Sequence, residues 1–553
     1  EDTTISVEWS TDALLGSRQE TIYVKQYEGV RRYYIEMQGN REWTGNLVGL
    51  NLHIADPAKI LVDRIALTTE PDGPPEIEVT YFGFENGVSR AGRPESLLAQ
   101  LINRGGGSAA IKDIMLETPA EVKVVSGPNY SATTPLQNGD SVDILWEVQT
   151  EIASQYSVTL KPDATTTACD ANLTFMPAVE MNADYVPEPK PIKTSLEVCA
   201  YYFPGWNADV KYDCLRNTAP IRKPLLGYYD ESNRECVDWQ IKWAVENGIS
   251  CFLVDWYWVA GNQHLCHWFD AYRKARYRDY LKVAIMWANH NPKGTHSRED
   301  WRNVTREWID KYFNLPGYYK VNGRPAVFLW DSNLIRGDFG GSDAVAEAFA
   351  ESRQMAKDAG HAGIEFIILQ HHANEADMQK WQAETYDGNT TYHEFGSALD
   401  MAPHQSQGRY ADVVATAPAA WEKRRQQSGA FPFYPIVDTG WDSRPWHGRN
   451  SMAFHGRTPE LFKQFLQAGK DYCSQHDVPF LILGPLNEWG EGSYIEPNLE
   501  FGFTMYEAIR EVFGEGDPKD WAQNLSPRDV GLGPYDFPHT PKKAACEFDA
   551  DAE

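Results

Sequence analysis

Glu488 and Glu491 stand three residues apart in the stretch PLNEWGEGSYIEP, residues 485–497. Two carboxylates held that close repel one another. In a partly dry site their pKa values are driven apart, so that one stays ionised as a base and the other keeps its proton as an acid. Glycoside cleavage uses this division of labour. On an ordinary helix the same E-x-x-E spacing is a solvated face. Here Pro485, Gly490 and Gly492 break any regular helix around Trp489, which favours a tight loop that projects both carboxylates. Glu496 lies farther along and reads as structural, or as a residue that orders the loop.

Something must carry that loop. From Leu196 onward, apolar strand-like runs alternate with helix-length amphipathic segments. Eight candidate strands follow in order: LEVCAYYF, SCFLVDW, LKVAIMW, PAVFLW, IEFIILQ, TYDGNT, FYPIVDT and FLILGP. Helical patterns such as NRECVDWQIKWAVENG, DAVAEAFAESRQMAKDAG and TPELFKQFLQAGKDYCSQ lie between them, and several close at glycine. Eight βα units predict a (β/α)8 TIM-type barrel, with a doubly wound open sheet as the alternative. TYDGNT is the weakest strand, being short and polar.

In a barrel the chemistry gathers where strands end. The eighth strand runs into the Glu488–Glu491 loop. The other ends carry Tyr202, Asp255, Trp256, Trp287, Asn289, Trp330, Asp331, His371, Asp438, Trp441, Asp442 and Arg444. Tryptophan is costly to expose, and its repetition at strand ends points to a sugar-binding cleft. Asn487, Asp255, Asn289, His371, Asp442 and Arg444 are the expected polar contacts. Tyr202, Trp256, Trp287 and Trp441 are the expected walls. Arg444 has a second reading as a brace paired with Asp442. Asp255 ends an otherwise apolar strand, where a buried carboxylate needs a partner.

The rest of the 553-residue chain adds further units. Residues 1–75 are β-rich, with alternation in NLVGLNLHIAD and KILVDRIAL, and they are similar to part of a carbohydrate-binding jelly roll. Residues 76–184 read as an immunoglobulin-like β-sandwich. Residues 185–195, YVPEPKPIKTS, form a Pro-spaced linker. The barrel is assigned to 196–520 and a C-terminal extension to 521–553, whose polar tail from Pro538 is expected to pack loosely on the barrel surface or to be partly disordered. A net charge of −27 argues against nucleic acid and acidic membranes, and no apolar run is long enough to span a bilayer. The expected partner is a neutral carbohydrate, which an aromatic content of 13% suits. The chain begins EDTTISVEWS, without Met or a signal-like core. It is expected to be a mature or trimmed form that acts outside the cell, in a periplasm or at the cell surface. Eight cysteines include no C-x-x-C. Cys214 and Cys236 flank a loop and are one candidate disulfide. HLCH, residues 264–267, has no second ligand cluster and reads as a helix start. No metal or cofactor is called for.

The barrel residues also resemble a known group. LNEWGEGSYIEPNLEFGF, with YYFPGW, GYYD, WAVENGISCFLVDWYW, MWANHN, VNGRPAVFLW and DTGWDSRPW in order, is similar to the glycoside hydrolase family 99-like proteins, including WbsX-type relatives. The resemblance spans about residues 196 to 515. It implies a retaining hydrolase of α-mannan-type glycans on a (β/α)8 barrel. By that resemblance Glu488 is the base that takes a proton from the substrate 2-OH, giving a 1,2-anhydro sugar. Glu491 is then the general acid/base. Gly490 departs from the family, where histidine is frequent at this position. A catalytically silent glycan-binding protein and a glycosyltransferase of surface polysaccharide assembly remain the alternatives.

Overall fold

The computed structural model describes residues 3–24, 32–35, 37, 42–54, 60–112, 114–131, 135–161, 168–370, 373–401 and 406–538. His371 and the tail beyond Pro538 lie outside them.

Eight parallel strands form the C-terminal half: β1 (Glu197–Tyr202), β2 (Cys251–Val259), β3 (Lys282–Trp287), β4 (Arg324–Leu329), β5 (Glu365–Leu369), β6 (Gly388–Thr390), β7 (Ile436–Val437) and β8 (Phe480–Leu483). Their order is β6-β5-β4-β3-β2-β1-β8-β7, and an isolated parallel bridge from Asn389 to Phe433 draws the two outer strands together. This is a near-closed barrel, as the eight apolar runs predict. The strands are buried on both faces, which is why they read as continuous apolar stretches. Helices Arg234–Glu246, Ser342–Asp358 and Pro459–Gln475 cover the outside. The first two are followed by left-handed Gly248 and Gly360, where a side chain would be strained.

β6 forms despite its polar sequence because side chains replace what an apolar strand would gain from packing. Arg424, from helix Tyr410–Ser428, donates to Asn389 Oδ1 (2.8 Å), the Gln370 carbonyl (2.6 Å) and the Thr390 carbonyl (3.2 Å). Thr390 Oγ1 donates to the Tyr434 carbonyl at 2.8 Å, and the Asn389 N–H to that of Pro432 at 2.8 Å.

The N-terminal region is all β. Strands Thr3–Thr11, Arg18–Val24 and Leu47–Ile54 form one antiparallel sheet with Thr3–Thr11 in the centre. Trp9 and Trp43 meet edge to face at 5.9 Å on it. The alternating pattern expected to continue after Asp56 does not become a strand. Residues 60–67 are irregular, and Leu61 is 98% exposed. With no neighbouring strand to bond, alternation alone does not hold an extended segment in a sheet. Between residues 77 and 176, two four-stranded sheets share one core of Leu97, Leu101, Ile144, Trp146, Leu160 and Phe175. The stretch 185–195 lies along the barrel, with the Lys190 N–H on Glu246 Oε1 (2.9 Å) and the Ile192 N–H on the Val245 carbonyl (3.1 Å). Cys214 and Cys236 are both thiols.

A buried ionic cluster joins the β region to the segment after the barrel. Arg90 donates to Asp529 Oδ2 at 2.6 Å and to the Asn524 carbonyl at 2.6 Å, while Arg93 bridges Glu95 and Asp529.

Candidate active site

Downstream of β8, Asn487–Glu488 pairs antiparallel with Ser493–Tyr494 around the single 3-10 turn Trp489–Glu491. Gly492 closes this turn at φ +72°, and a Cβ there would sit 2.5 Å from the Asp442 backbone nitrogen. Gly490 makes room for a neighbouring ring. A Cβ on it would fall 1.6 Å from Trp446 Nε1, so the Trp446 ring occupies the space a larger residue would need.

The turn carries both glutamates to the C-terminal mouth of the barrel. Glu488 is buried and Glu491 half-buried. Burial pushes Glu488 well above the ordinary carboxylate range, and the nearby Glu491 and Asp255 add to the shift. Burial raises Glu491 as well, opposed by the charges of His393 and His447. Asp255, at the end of β2, is also raised by burial. One hydroxyl links two of these acids. Tyr392 Oη lies 3.2 Å from Asp255 Oδ2 and 3.4 Å from Glu488 Oε1. It has one proton and donates to one carboxylate at a time. Glu488 Oε2 has no hydrogen-bond partner among the described residues, although it is buried. Such an atom is costly unless something else bonds to it.

The site loop is held from below and from the side. Asn487 accepts from the Phe203 N–H (2.9 Å) and donates to the Phe203 carbonyl (2.9 Å) and to Glu231 Oε1 (3.1 Å). Glu231 also receives the Tyr202 hydroxyl (2.8 Å) and the Trp206 N–H (2.7 Å). Glu496, buried against Tyr229 and Gln240, is raised by burial to about 8. On the flank, Asp442 takes Arg222 Nη2 at 2.6 Å and Arg444 Nε at 2.8 Å, and Arg222 reaches the Trp489 carbonyl at 3.3 Å. Burial opposes ionisation of Asp442, but the two guanidiniums hold its pKa below the usual range. The Asp442 N–H donates to the Glu491 carbonyl at 2.6 Å.

The expected site residues therefore divide. Asp255, Glu488, Glu491 and Trp441 come together at the mouth, and Trp441 sets its ring 4.9 Å from His393. Asp442 and Arg444 pair and brace the loop. Asn487 spends its amide on the Phe203 backbone and Glu231, and Asn289 on backbone, joining the ends of β3 and β4 through the Asp331 N–H (2.8 Å) and carbonyl (3.0 Å). Tyr202, Trp256 and Trp287 are not mouth walls. Tyr202 stacks on Phe252 at 5.3 Å, while Trp256 and Trp287 pack with Trp301, Trp308 and Tyr312 between strands and helices. Adjacent strand residues face opposite ways, so an inward Asp255 forces Trp256 outward. The neighbours that do face the site are Tyr257, within electrostatic reach of Asp255, Glu488 and Glu491, and Tyr201, whose ring lies 4.7 Å from that of Tyr392. Tyr392 and His393 were not anticipated. Trp330, partly exposed, meets Tyr392 at 4.9 Å and lines a pocket with Asp331, Asn333, Leu369 and Gln370 at the ends of β4 and β5. His264 ends a short hairpin and His267 opens helix His267–Tyr272, facing Glu231. Among the described residues, no group of three His, Cys, Asp or Glu side chains is placed to hold a metal ion.

A near-closed eight-stranded parallel barrel with acidic side chains gathered at its C-terminal mouth defines the class of this protein. Residues 218–509 match the family model described as Glycosyltransferase WbsX, more than half the chain, and the protein belongs to that family. The chain is 21% identical over 311 residues to "Uncharacterized protein WxcX" of Xanthomonas campestris pv. campestris strain ATCC 33913, a match covering 52% of this chain and 42% of that protein. The chain thus spans less than half the length of that relative. Solved structures that resemble it include a GH99 endo-alpha-mannosidase from Bacteroides thetaiotaomicron, with 19% identity, 57% of this chain, 95% of that one and a TM-score of 0.42. Another is a "Glycoside hydrolase-like protein", with 16% identity, 60% of this chain, 98% of that one and a TM-score of 0.45.

Proposed function

We propose that this protein is a retaining glycoside hydrolase that cleaves α-linked, mannose-type bonds in a complex polysaccharide or glycan. The observation that carries this reading is the turn holding Glu488 and Glu491 together at the barrel mouth, with Glu488 Oε2 buried and without a partner among the described residues. Both glutamates come from one loop, so they are badly placed to attack a sugar from opposite faces. A route through the substrate's own hydroxyl suits them better. Glu488 takes the proton of the 2-OH, O2 bonds to the anomeric carbon, and the bond to the leaving oxygen breaks. Glu491 gives its proton to that oxygen. Water then opens the 1,2-anhydro ring, giving one proton to Glu491 while Glu488 returns its own to O2. Asp255 and Tyr392 flank the 2-OH position and share its hydrogen bonding.

The family description supports a second reading, transfer from a nucleotide sugar onto a growing glycan. One experiment separates the two. Purified protein is incubated with α-mannans and related glycans, with and without nucleotide sugars, and products are resolved by mass spectrometry. Release of shorter glycans without any nucleotide, lost in Glu491→Gln, supports hydrolysis. Product that forms only with a nucleotide sugar replaces it. Calorimetric binding without turnover in either arm makes the protein a glycan-binding module. The remaining expectation, action outside the cell, rests on the kind of substrate proposed.

A further inference from the structure

Trp446 stands at the rim of the mouth and is not used by the chemistry above. It lies in the short helix Arg444–His447, in the loop after β7, and is 41% exposed. Trp206, Trp256, Trp287, Trp301 and Trp489 are all buried in the same barrel, so an indole left in water here is a departure. The exposed ring is nevertheless fixed. Its Nε1 donates to Cys214 Sγ at 2.9 Å, and its backbone N–H donates to the Ser443 carbonyl at 3.1 Å. Phe203 meets it edge-on at 6.3 Å, and Trp206 lies at 6.0 Å. A Cβ on Gly490 would fall within 2.2 Å of its Nε1, Cδ1 and Cε2, so the pyrrole edge rests directly on the turn between the two glutamates. A ring pinned in this way has already lost the rotamer freedom that a bound ligand would otherwise take from it.

The ring and the acid-bearing turn form one packed unit. Trp206 Nε1 donates to the Asn487 carbonyl at 2.8 Å, and Phe203 exchanges both backbone groups with the Asn487 amide. Burial falls off along this unit. Glu488 is buried, Glu491 is half-buried and Trp446 is exposed. Asp255 and Tyr392 flank Glu488 at the dry end, and Trp330 lies beyond Tyr392 on that side. A sugar whose 2-OH reaches Glu488 fills the dry end. The sugar joined to it through the oxygen that Glu491 protonates must then extend the other way, past the half-buried acid toward the exposed ring.

We propose that Trp446 is a binding platform for the leaving-group sugar, the unit on the far side of the bond that is cut. A pyranose ring carries C–H groups on its faces and hydroxyls around its edge. Its apolar face covers the exposed indole while the hydroxyls stay in water. The proposal rests on the hydrolase reading for its direction and deepens it by naming the ligand on the solvent side of Glu491 as a neutral sugar ring. Held flat on Trp446, that ring keeps the leaving oxygen beside the acid.

The first test needs no turnover. The full chain carrying Glu491→Gln is labelled with 5-fluorotryptophan and titrated with α-linked mannotriose by 19F NMR, the Trp446 signal being assigned from Trp446→Leu. A Trp446 shift that saturates with the sugar is expected. Shifts confined to other tryptophans, or none at all, overturn the proposal. The second test fixes the side. Trp446→Leu keeps apolar bulk over Gly490 without a flat ring. On a glycan that is cut, it should lower kcat/KM by about tenfold or more, and Trp446→Phe should restore most of the loss. On α-mannobiosyl fluoride the leaving group is a single atom that never reaches the ring, and Trp446→Leu should stay within about twofold of the parent. Equal losses on both substrates would mean that the ring only supports the turn, and would overturn the proposal. A chain that cuts glycans with Trp446 dispensable keeps the hydrolase reading and loses the platform. A Trp446 signal that answers to the sugar in a parent chain that cuts nothing does the reverse.

Discussion

Glu488 must be ionised to take a proton, yet burial, Glu491 and Asp255 all push its pKa up. The sign is that of any base. Activity is present above the folded pKa and lost as pH falls through it. The acidic limb of kcat/KM is therefore expected well above 4.5, the ordinary glutamate value. An initial-rate profile on an active glycan checks this, and a limb near 4.5 would mean that Glu488 is not the base. Tyr392 supplies a hydroxyl between Asp255 and Glu488. Tyr392→Phe leaves both carboxylates without that donor and should reduce kcat/KM at least tenfold, about 1.4 kcal/mol of transition-state stabilisation. Circular dichroism should show the fold intact. A wild-type rate from the folded variant would remove Tyr392 from the site.

The elements that support these residues were partly legible in the sequence. Eight strands, their order along the chain and the helices between them follow from apolar runs and glycine stops, because a barrel strand is buried on both faces and shows it in composition. The height of the site was legible too, since strand ends mark the mouth. The facing was not. Asp255 and Trp256 share a strand end but point to opposite sides, and period two read outward from Asp255 would have selected Tyr257 instead. Tyr392 and His393 were hidden for another reason. β6 takes part of its hydrogen bonding from Arg424, more than thirty residues away in the chain, so its polar sequence gave no clear place at which to look for a strand end. At the flanking loop, Arg222 joins Asp442 to the Trp489 carbonyl. Arg222 removal leaves Asp442 paired with Arg444, so the loss is that of hydrogen bonds to a charged group, roughly 1.5–3 kcal/mol. Arg222→Ala should lower stability by an amount of that order and loosen the Glu491 turn. Urea denaturation measures the first, and a drop in kcat of the surviving folded protein measures the second.

Across the whole molecule, the β region and the barrel are joined by the Arg90, Arg93, Glu95 and Asp529 cluster, with Arg528 also on Glu95. Arg90→Ala leaves part of this cluster uncompensated where water is excluded. Unfolding that is cooperative in the parent should then separate into two steps, recorded by tryptophan fluorescence and far-ultraviolet circular dichroism against urea. Coincident transitions in the variant would show that the cluster does not couple the two parts. The seam between β6 and β7 has a different consequence. Around the rest of the barrel, neighbouring strands share backbone ladders, but here a single bridge and the Thr390 hydroxyl on the Tyr434 carbonyl do that work. A ring breathes first where its stitching is thinnest. Solvent deuterium should therefore enter the amides of 388–390 through openings far smaller than those needed to expose β1 to β3. Tyr392 and His393 hang from that seam, so the acids of the mouth share a wall with the part of the barrel that opens most readily.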